Sequence, residues 1–386
     1  MRRLAVWLAM LAAGCSSDAV RARLIADGVV ENSIALQGLA RGCSVAIERH
    51  GVRLVERGYG WAADGRRADA ATVYRAGSIT KELTAAAVLQ LAAAGKLRLD
   101  EDAAAIVPGA LPAGAHPTVA QLLSHTAGIE DYIRPGFDFA RSRSRADMLA
   151  LFAGRPLRFP PGHRWEYSNS GYILAGILVE DRSGERYGDY IERHLVAPLG
   201  LKNTFYWDAH PDDPRLALPY EHDGSRIDPD GVESPDSDGG MCSTAGELVD
   251  WWNALSSGRV VSAADFARMT TRAPLADGSR AHYGLGIGIY DRDGLVFAHS
   301  GCVAGYSSEL AHYVDDDLTI ATMCNARCPA GANLEEILGE TLRHADAGRV
   351  AFLFVVSRRR ALAVAAAALL AIAVALIIRK RRRMRV

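Results

Sequence analysis

Hydrophobic and polar positions divide the chain into strand-like ends and a helical middle. Apolar positions recur at helical spacing from residue 18 to about residue 40. Two strand-like segments then flank a short His50-Gly51 turn, which predicts a β-hairpin. Residues 96–270 show mostly helical patterns between Pro- and Gly-rich loops. Further on, four closely spaced strand-like segments predict an antiparallel meander, and a closing helix follows: YGLGIGIYDR, LVFAHSG, SSELAHYV, LTIATMCNA and NLEEILGETLRHA.

Strands at both ends with helices inserted between them predict a two-lobed α/β fold. We expect one antiparallel sheet flanked by the N- and C-terminal helices, plus an inserted, mostly helical lobe. This domain is expected to span residues 20–346. The Asp-, Pro- and Gly-rich segment 207–239 is predicted to be a surface loop.

A second hydrophobic feature lies at the C-terminus. Residues 361–378 are uninterrupted apolar residues, about enough to span a bilayer core. Three arginines precede this segment, and six basic residues follow it within 379–385. An Ala-rich soluble helix does not account for these basic flanks. We therefore predict that residues 358–386 form a transmembrane anchor with a cytoplasmic tail, which leaves the preceding domain on the outer side.

The N-terminus predicts export. Residues 1–15 combine two arginines, a short apolar segment and small residues before Cys15. The ending AAGC resembles a lipoprotein processing site with Cys15 as the lipidated residue, and ordinary cleavage nearby is the alternative. Together the two termini predict a cell-membrane protein whose catalytic domain is extracytoplasmic (periplasmic).

Composition excludes several classes of function. The formal net charge is −1, so a nucleic-acid-binding surface is not expected. The histidines are scattered and neither CxxC nor HExxH occurs, so we predict no metal and no cofactor. An extracytoplasmic location permits disulfides. Cys302 is either a small strand residue or half of a disulfide with Cys324 or Cys328.

The first chemical motif opens an apolar helix predicted from Ser78 to Gly95. Ser78 and Lys81 lie three residues apart and therefore on one face of the helix. Burial and the positive helix end lower the pKa of a lysine there, so a neutral amine can take the serine proton. Only four of the 44 basic residues are lysines, which makes this one informative. The alternative is that Ser78 only caps the helix.

The second motif is Tyr167-Ser168-Asn169, after a Pro- and Gly-rich loop. If this segment is extended, Tyr167 and Asn169 face the same cleft. Tyr167 could relay a proton to a leaving group, and Asn169 could contact both a substrate carbonyl and Lys81. A Tyr that merely packs at a helix start is the alternative.

The third motif is His299-Ser300-Gly301, at the end of a predicted strand. Gly301 would let a substrate backbone approach closely. The backbone N–H groups of Ser78 and Cys302 are the candidate oxyanion donors. His299 could orient a carboxylate or polarise the substrate, or it could be an ordinary strand-end histidine.

The three motifs in this order resemble the serine β-lactamase-related hydrolases. That family includes class C β-lactamases, D-Ala-D-Ala peptidases, D-aminopeptidases and esterases. The resemblance covers roughly residues 25–345. It is carried by YRAGSITKELTAAAVLQLAAAGKLRLDE, TVAQLLSHTAGI, FPPGHRWEYSNSGYILAG, GGMCSTAGELVDWW, YGLGIGI and HSGCVAGYSS.

The resemblance implies roles for each motif residue. Ser78 would be the nucleophile, Lys81 its base and Tyr167 a general acid and base. Substrate contacts would come from Asn169 and from the third motif, His299, Ser300 and Gly301. Class C β-lactamases have Lys-Thr-Gly where this chain has His-Ser-Gly, and a neutral His grips a carboxylate weakly.

We therefore expect a membrane-anchored extracytoplasmic serine hydrolase that acts through an acyl-enzyme. D-amino-acid-containing peptides, with the cell wall as one source, and small esters are the expected substrates. A β-lactamase proper and a non-catalytic cell-wall ligand-binding protein are the alternatives. His125 is predicted to be structural, and Glu166 and Asp131 receive no role.

Overall fold

A computed structural model describes most of the chain. It covers residues 18–37, 41–135, 137, 144–207, 213–221, 223–227, 236–326 and 334–345. The α-helices in these ranges are α1 (Asp18–Gln37), α2 (Thr80–Ala93), α3 (Ala103–Ile106), α4 (Val119–Leu123), α5 (Arg145–Ala150), α6 (Asn169–Ser183), α7 (Tyr187–Ile191), α8 (Ala197–Leu199), α9 (Ala245–Ser256), α10 (Ala263–Met269) and α11 (Leu334–His344).

The strands come from both ends of the chain, as the sequence predicts. They are β1 (Gly42–Arg49), β2 (Val52–Ala63), β3 (Arg66–Arg67), β4 (Tyr74–Arg75), β5 (Phe205–Tyr206), β6 (Met241–Ser243), β7 (Gly288–Asp291), β8 (Leu295–Val303), β9 (Tyr306–Tyr313) and β10 (Leu318–Cys324). Seven of them form one sheet in the order β3-β2-β1-β10-β9-β8-β7, and β4-β6-β5 form a small second sheet.

Local sequence explains the two ends of the large sheet. The predicted hairpin is confirmed: β1 and β2 pair antiparallel across a turn in which both His50 and Gly51 have positive φ, 50° and 70°. The predicted meander is also confirmed, because β7 to β10 are consecutive antiparallel neighbours. Pairing of β1 with β10 joins the two ends of the chain.

Both faces of the large sheet are covered. Val45 and Ile47 of β1 pack with α1 and α11 on one face, whereas Ala46 belongs to the core that includes α2 and α9. Alternation of side chains along a strand produces this division. The predicted two-lobed arrangement is confirmed, and the lobe between β4 and β7 is mainly helical.

Helix α2 lies at the centre of the molecule and carries the first motif. A 3₁₀ turn, Gly77–Ile79, leads into it, and Gly95 (φ 71°) follows its end. The run Ala85, Ala86 and Ala87 is fully buried, so neighbouring elements can approach the helix closely. The sequence prediction of a helix from Ser78 to Gly95 is correct to within two residues at each end.

The fold-class prediction is wrong in its last element, the transmembrane helix. Nowhere in the described ranges does a helix combine the length and apolarity needed to cross a membrane. The longest helix, α1, has 20 residues but includes charged side chains such as Arg21, Asp27 and Glu31. Residues 361–378, on which the prediction was based, lie outside the described residues.

Cysteine pairing narrows the alternatives that the sequence left open for Cys302. Cys43 and Cys324 face each other across β1 and β10 and form a disulfide. Cys302 is also disulfide-bonded, and Cys242 is a buried free thiol. Of the alternatives for Cys302, the unpaired strand residue and the pair with Cys324 are both excluded, because Cys302 is bonded and Cys324 has Cys43 as its partner. Cys15 lies outside the described residues.

Candidate active site

Ser78 and Lys81 form the centre of the site. The Lys81 Nζ atom lies 3.0 Å from Ser78 Oγ, and the lysine is fully buried. Ser78 itself is partly exposed. It does not cap α2: the N-cap residue is Ile79, and no side chain bonds there. The 3₁₀ turn instead holds the hydroxyl against the amine.

Burial makes Lys81 a base. Desolvation lowers its pKa from 10.5 to about 8, although the nearby carboxylates of Asp238 and Asp131 oppose this shift. The other two neighbours of Nζ are Asn169 Oδ1 at 2.8 Å and the Asp238 carbonyl oxygen at 2.7 Å. Both can only accept hydrogen bonds. A neutral amine therefore keeps its two N–H groups for them and turns its lone pair toward Ser78.

Tyr167 approaches the serine from the second motif. Its ring centroid lies 5.0 Å from Lys81 Nζ, and Ser78 is close enough to act on the pKa of its hydroxyl. Desolvation raises the pKa of Tyr167 well above its ordinary value, so the phenol stays protonated at neutral pH. Near neutral pH the lysine is thus a group beside Ser78 that can accept a proton, and the phenol is one that can donate a proton.

The backbone of the second motif has the extended form that the sequence required. Ser168 is the N-cap of α6 with φ −143° and ψ 114°, and the helix begins at Asn169. Tyr167 precedes Ser168 and Asn169 follows it, and the side chains of both lie next to Lys81.

His125 holds the second motif in place. Its backbone carbonyl accepts the Glu166 N–H at 3.0 Å, and its Nδ1 accepts the Ser168 N–H at 3.1 Å. Its ring lies 4.2 Å, centroid to centroid, from the Tyr167 ring. Burial and the charge of Lys81 depress the pKa of His125 well below its usual range, so the ring is neutral. These contacts agree with the structural role predicted for His125, which is to position Tyr167.

The third motif packs against the turn that carries Ser78. A Cβ on Gly301 would lie 2.0 Å from the Ala76 oxygen, and one on Gly77 would lie 2.8 Å from the Cys302 nitrogen. The absence of side chains at both glycines is what lets the Cys302 amide stand next to this turn. Strand β7 pairs with β8 only as far as Ala298, so the motif lies beyond the end of β7.

His299 is held by two neighbours rather than pointing freely into the cleft. Its Nδ1 lies 2.7 Å from the Ser300 carbonyl oxygen, and its Nε2 lies 2.7 Å from the Tyr283 hydroxyl. Burial, together with the charge of Lys81, lowers the pKa of His299 to about 3. The ring is therefore neutral, whereas the Ser300 residue beside it is exposed.

Two carboxylates complete the site, and sequence analysis assigned a role to neither. Asp131 Oδ2 accepts from Asn169 Nδ2 at 3.0 Å, and Asp238 Oδ2 accepts from the Tyr132 hydroxyl at 2.8 Å. Burial raises the pKa of both carboxyl groups, and Lys81 opposes this. Asp131 lies two residues after the segment TVAQLLSHTAGI, which ends at Ile129, and this proximity was the signal available in the sequence.

Glu166, the other acidic residue left without a role, pairs with Arg158 on the surface. Within the described ranges, no three His, Cys, Asp or Glu side chains are placed to hold a metal ion together.

Fold and site together define a serine hydrolase class in which a Ser-x-x-Lys pair lies between an antiparallel sheet and a helical lobe. The chain belongs to the Beta-lactamase family, whose model matches residues 23–339. The family resemblance drawn from the motifs is thereby confirmed.

Relatives of known name are similar over part of their length. Penicillin-binding protein 4* of Bacillus subtilis (strain 168) is 26% identical over 296 residues, which are 69% of this chain and 64% of that protein. The esterase EstB of Burkholderia gladioli is 31% identical over 243 residues, 57% of this chain and 60% of the esterase. This chain thus spans less than two thirds of either relative.

Two similar solved structures are covered over nearly their whole length. A D-stereospecific amidohydrolase from Streptomyces sp. is 25% identical with a TM-score of 0.67, covering 81% of this chain and 97% of that one. The D-amino acid amidase of Ochrobactrum anthropi SV3, complexed with L-phenylalanine, is 24% identical with a TM-score of 0.73, covering 87% and 99%. The second likeness shows the fold alone.

Proposed function

We propose that this protein is an extracytoplasmic serine hydrolase that cleaves small esters and D-amino-acid amides or peptides through an acyl-enzyme. One observation carries the proposal: a buried lysine with a pKa of about 8 has its Nζ 3.0 Å from a partly exposed serine hydroxyl. A structural serine at a helix start does not need such a neighbour.

The first half-reaction uses the groups in a fixed order. As Ser78 Oγ bonds to the substrate carbonyl carbon, its proton passes to Lys81. The oxyanion accepts hydrogen bonds from the backbone N–H groups of Ser78 and Cys302. When the bond to the leaving atom breaks, Tyr167 gives that atom a proton and Lys81 replaces the proton on Tyr167. Asn169 holds the lysine throughout.

The second half-reaction reverses these roles. Tyr167 accepts a proton from water and passes its own proton to Lys81 as the water oxygen bonds to the acyl carbon. The bond between the acyl carbon and Ser78 Oγ then breaks. The serine regains its proton from Lys81, and the carboxylic acid is released. The resting site is thereby restored.

The named relatives support the substrate classes. One is called an esterase, and another is called a D-stereospecific amidohydrolase. Ester and amide cleavage need the same nucleophile and oxyanion donors, and they differ mainly in how much the leaving group requires a proton. Tyr167 beside Ser78 supplies that proton.

The Cys43–Cys324 disulfide supports the location. Disulfides persist in oxidising compartments and are rare in the cytosol. This agrees with the export signal expected in residues 1–15.

A fluorophosphonate probe tests the proposal. The expected result is covalent labelling at Ser78, found by mass spectrometry of peptides, together with hydrolysis of p-nitrophenyl acetate. Ser78→Ala should abolish both, whereas Ser256→Ala, on the exposed face of α9, should change neither. Labelling with a penicillin in the same assay distinguishes a β-lactamase or penicillin-binding enzyme. A wild-type protein that is folded, unlabelled by either probe and inactive would be the non-catalytic binding protein.

A further inference from the structure

We infer that the site selects esters and amides whose leaving group carries no carboxylate. The reason is that the Tyr283 hydroxyl hydrogen-bonds to His299 of the third motif and leaves no N–H of that ring for a carboxylate. The inference depends on the proposed function and narrows its substrate class. It follows from the hydrogen bonds of His299 and from the position of Tyr167.

Both ring nitrogens of His299 have partners within the protein. The Ser300 carbonyl, 2.7 Å from Nδ1, can only accept, so Nδ1 carries the proton. In the neutral ring Nε2 is then an acceptor, and the Tyr283 hydroxyl donates to it at 2.7 Å. No N–H of this imidazole remains for a substrate anion.

The surroundings also oppose a positive charge on His299. The histidine is 7% exposed and Tyr283 is 3% exposed, so solvent does not stabilise an imidazolium. The groups around the ring are Tyr283, the Tyr167 ring at 6.3 Å, the neutral His125 ring and the amine of Lys81. None of these carries a negative charge at neutral pH.

Tyr167 shows which part of the substrate meets His299. This phenol donates to the leaving atom, and its ring lies next to the His299 ring. The leaving group therefore extends along residues 299–301, where β7 no longer pairs with β8. The polar group presented there is the exposed Ser300 residue, which is neutral. A carboxylate in that position would lose its bound water without gaining a cation as partner. The same transfer costs much less free energy for a neutral amide or ester.

Two thioesters with the same acyl group test this directly. Phenylacetyl thioesters of thioglycolate and of thioglycolamide differ only in the charge of the leaving group, and the released thiol is measured with a thiol-reactive dye. We expect kcat/KM at pH 7.5 to be at least about tenfold higher for the carboxamide. Equal values, or a preference for the carboxylate, would overturn the inference.

Tyr283→Phe gives a second reading. Loss of the hydroxyl frees Nε2, so the ring can be protonated and can face an anion. The preference for the carboxamide should therefore shrink severalfold, and shrink further as the pH falls from 8 to 6. Tyr190→Phe is the control. It removes a hydroxyl of another buried tyrosine, which donates to Gln90 over 3.5 Å, and should keep the wild-type ratio of the two kcat/KM values.

The two levels of the proposal fail differently. If the fluorophosphonate labels Ser78 and the thioesters are cleaved without charge preference, only the selectivity inference is wrong. If Ser78 is unreactive and neither thioester is cleaved, the hydrolase proposal itself is wrong.

Discussion

Asp131 decides which end of the Asn169 side chain faces Lys81. Its Oδ2 accepts from Asn169 Nδ2 at 3.0 Å, so the amide must present Oδ1 to Lys81 Nζ, 2.8 Å away. The opposite orientation would place an NH₂ group against the lysine and leave the carboxylate without its donor. Asp131 thus orients Asn169, and Asn169 in turn hydrogen-bonds to Lys81, the proposed base for Ser78.

Asp131→Asn is expected to shift the pH dependence of Ser78 acylation. The Asp131 carboxylate raises the pKa of Lys81 against the effect of burial. Without that charge the lysine pKa falls, so the neutral amine is present at lower pH. The acid limb of kcat/KM for p-nitrophenyl acetate should therefore move to lower pH. Asp131→Ala, which also releases Asn169, should lower the plateau about tenfold or more.

The exposed helix residue Asp189 offers a matched control for this variant. Asp189→Asn removes the same charge at a position that is not among the carboxylates acting on the pKa of Lys81, so it should leave the profile unchanged. If Asp131→Asn keeps the wild-type acid limb, Asp131 has no electrostatic effect on the lysine.

The wild-type pH profile should be governed by Lys81. Below its pKa of about 8 the ammonium cannot accept the Ser78 proton, so activity rises as the pH increases through that value. The raised pKa of Tyr167 predicts no descending limb from the phenol below pH 10. Rates of fluorophosphonate labelling between pH 6 and pH 10 measure this profile.

Lys81→Arg should reduce labelling by about 10²–10⁴-fold, because a guanidinium does not give up its proton in this range. Lys96→Arg, at an exposed position after α2, is the corresponding control. A half-maximum near pH 6 in the wild type would point to a histidine instead of Lys81.

His125→Asn is expected to impair proton delivery by Tyr167 more than nucleophilic attack. Asn tolerates the positive φ of this position, 59°, but it lacks the ring that contacts Tyr167. Ethyl esters, whose leaving group needs a proton, should lose about tenfold or more in kcat, whereas p-nitrophenyl esters should lose much less. Tyr167→Phe should show the same pattern more strongly. Equal losses on both esters would make His125 a general structural residue.

Gly301→Ala should separate the third motif from Ser78. The new Cβ would lie 2.0 Å from the Ala76 oxygen, and a backbone atom there cannot move aside as a flexible side chain could. Displacement of the Cys302 amide removes one oxyanion donor, so kcat should fall by about 10²–10³-fold. A circular dichroism spectrum and a melting curve establish that the variant is folded. Wild-type turnover in a folded variant would exclude Cys302 as a donor.

Removal of the Cys43–Cys324 disulfide should affect stability rather than chemistry. The bond joins β1 to β10 and closes a sequence separation of 281 residues. The double variant Cys43→Ser/Cys324→Ser should lose about 2–4 kcal/mol in the free energy of unfolding, measured by urea titration. Both residues lie in the core under α1 and α11, so kcat of the folded fraction should stay the same. A parallel loss of kcat would show that the sheet transmits this strain to the site.

Much of the fold could be predicted because its signals are local. The His50-Gly51 turn, the alternating strands and the apolar run after Ser78 each depend on neighbouring residues, and a periodicity of two or 3.6 reports them directly. The apolar length of residues 361–378 is a local signal as well, but these residues lie outside the described part of the chain, within which no helix is long and apolar enough to cross a membrane.

For the site, the candidate reacting groups could be identified from the sequence. The spacing of Ser78 and Lys81 places them on one face of a helix. The order of the three motifs indicated the family of serine hydrolases. Tertiary structure alone decided their charge states and orientations. Desolvation brings Lys81 to a pKa of about 8, and Tyr283 takes the free nitrogen of His299. These effects depend on burial and on partners distant in the chain, such as Asp238 for Lys81, and no local pattern records either one.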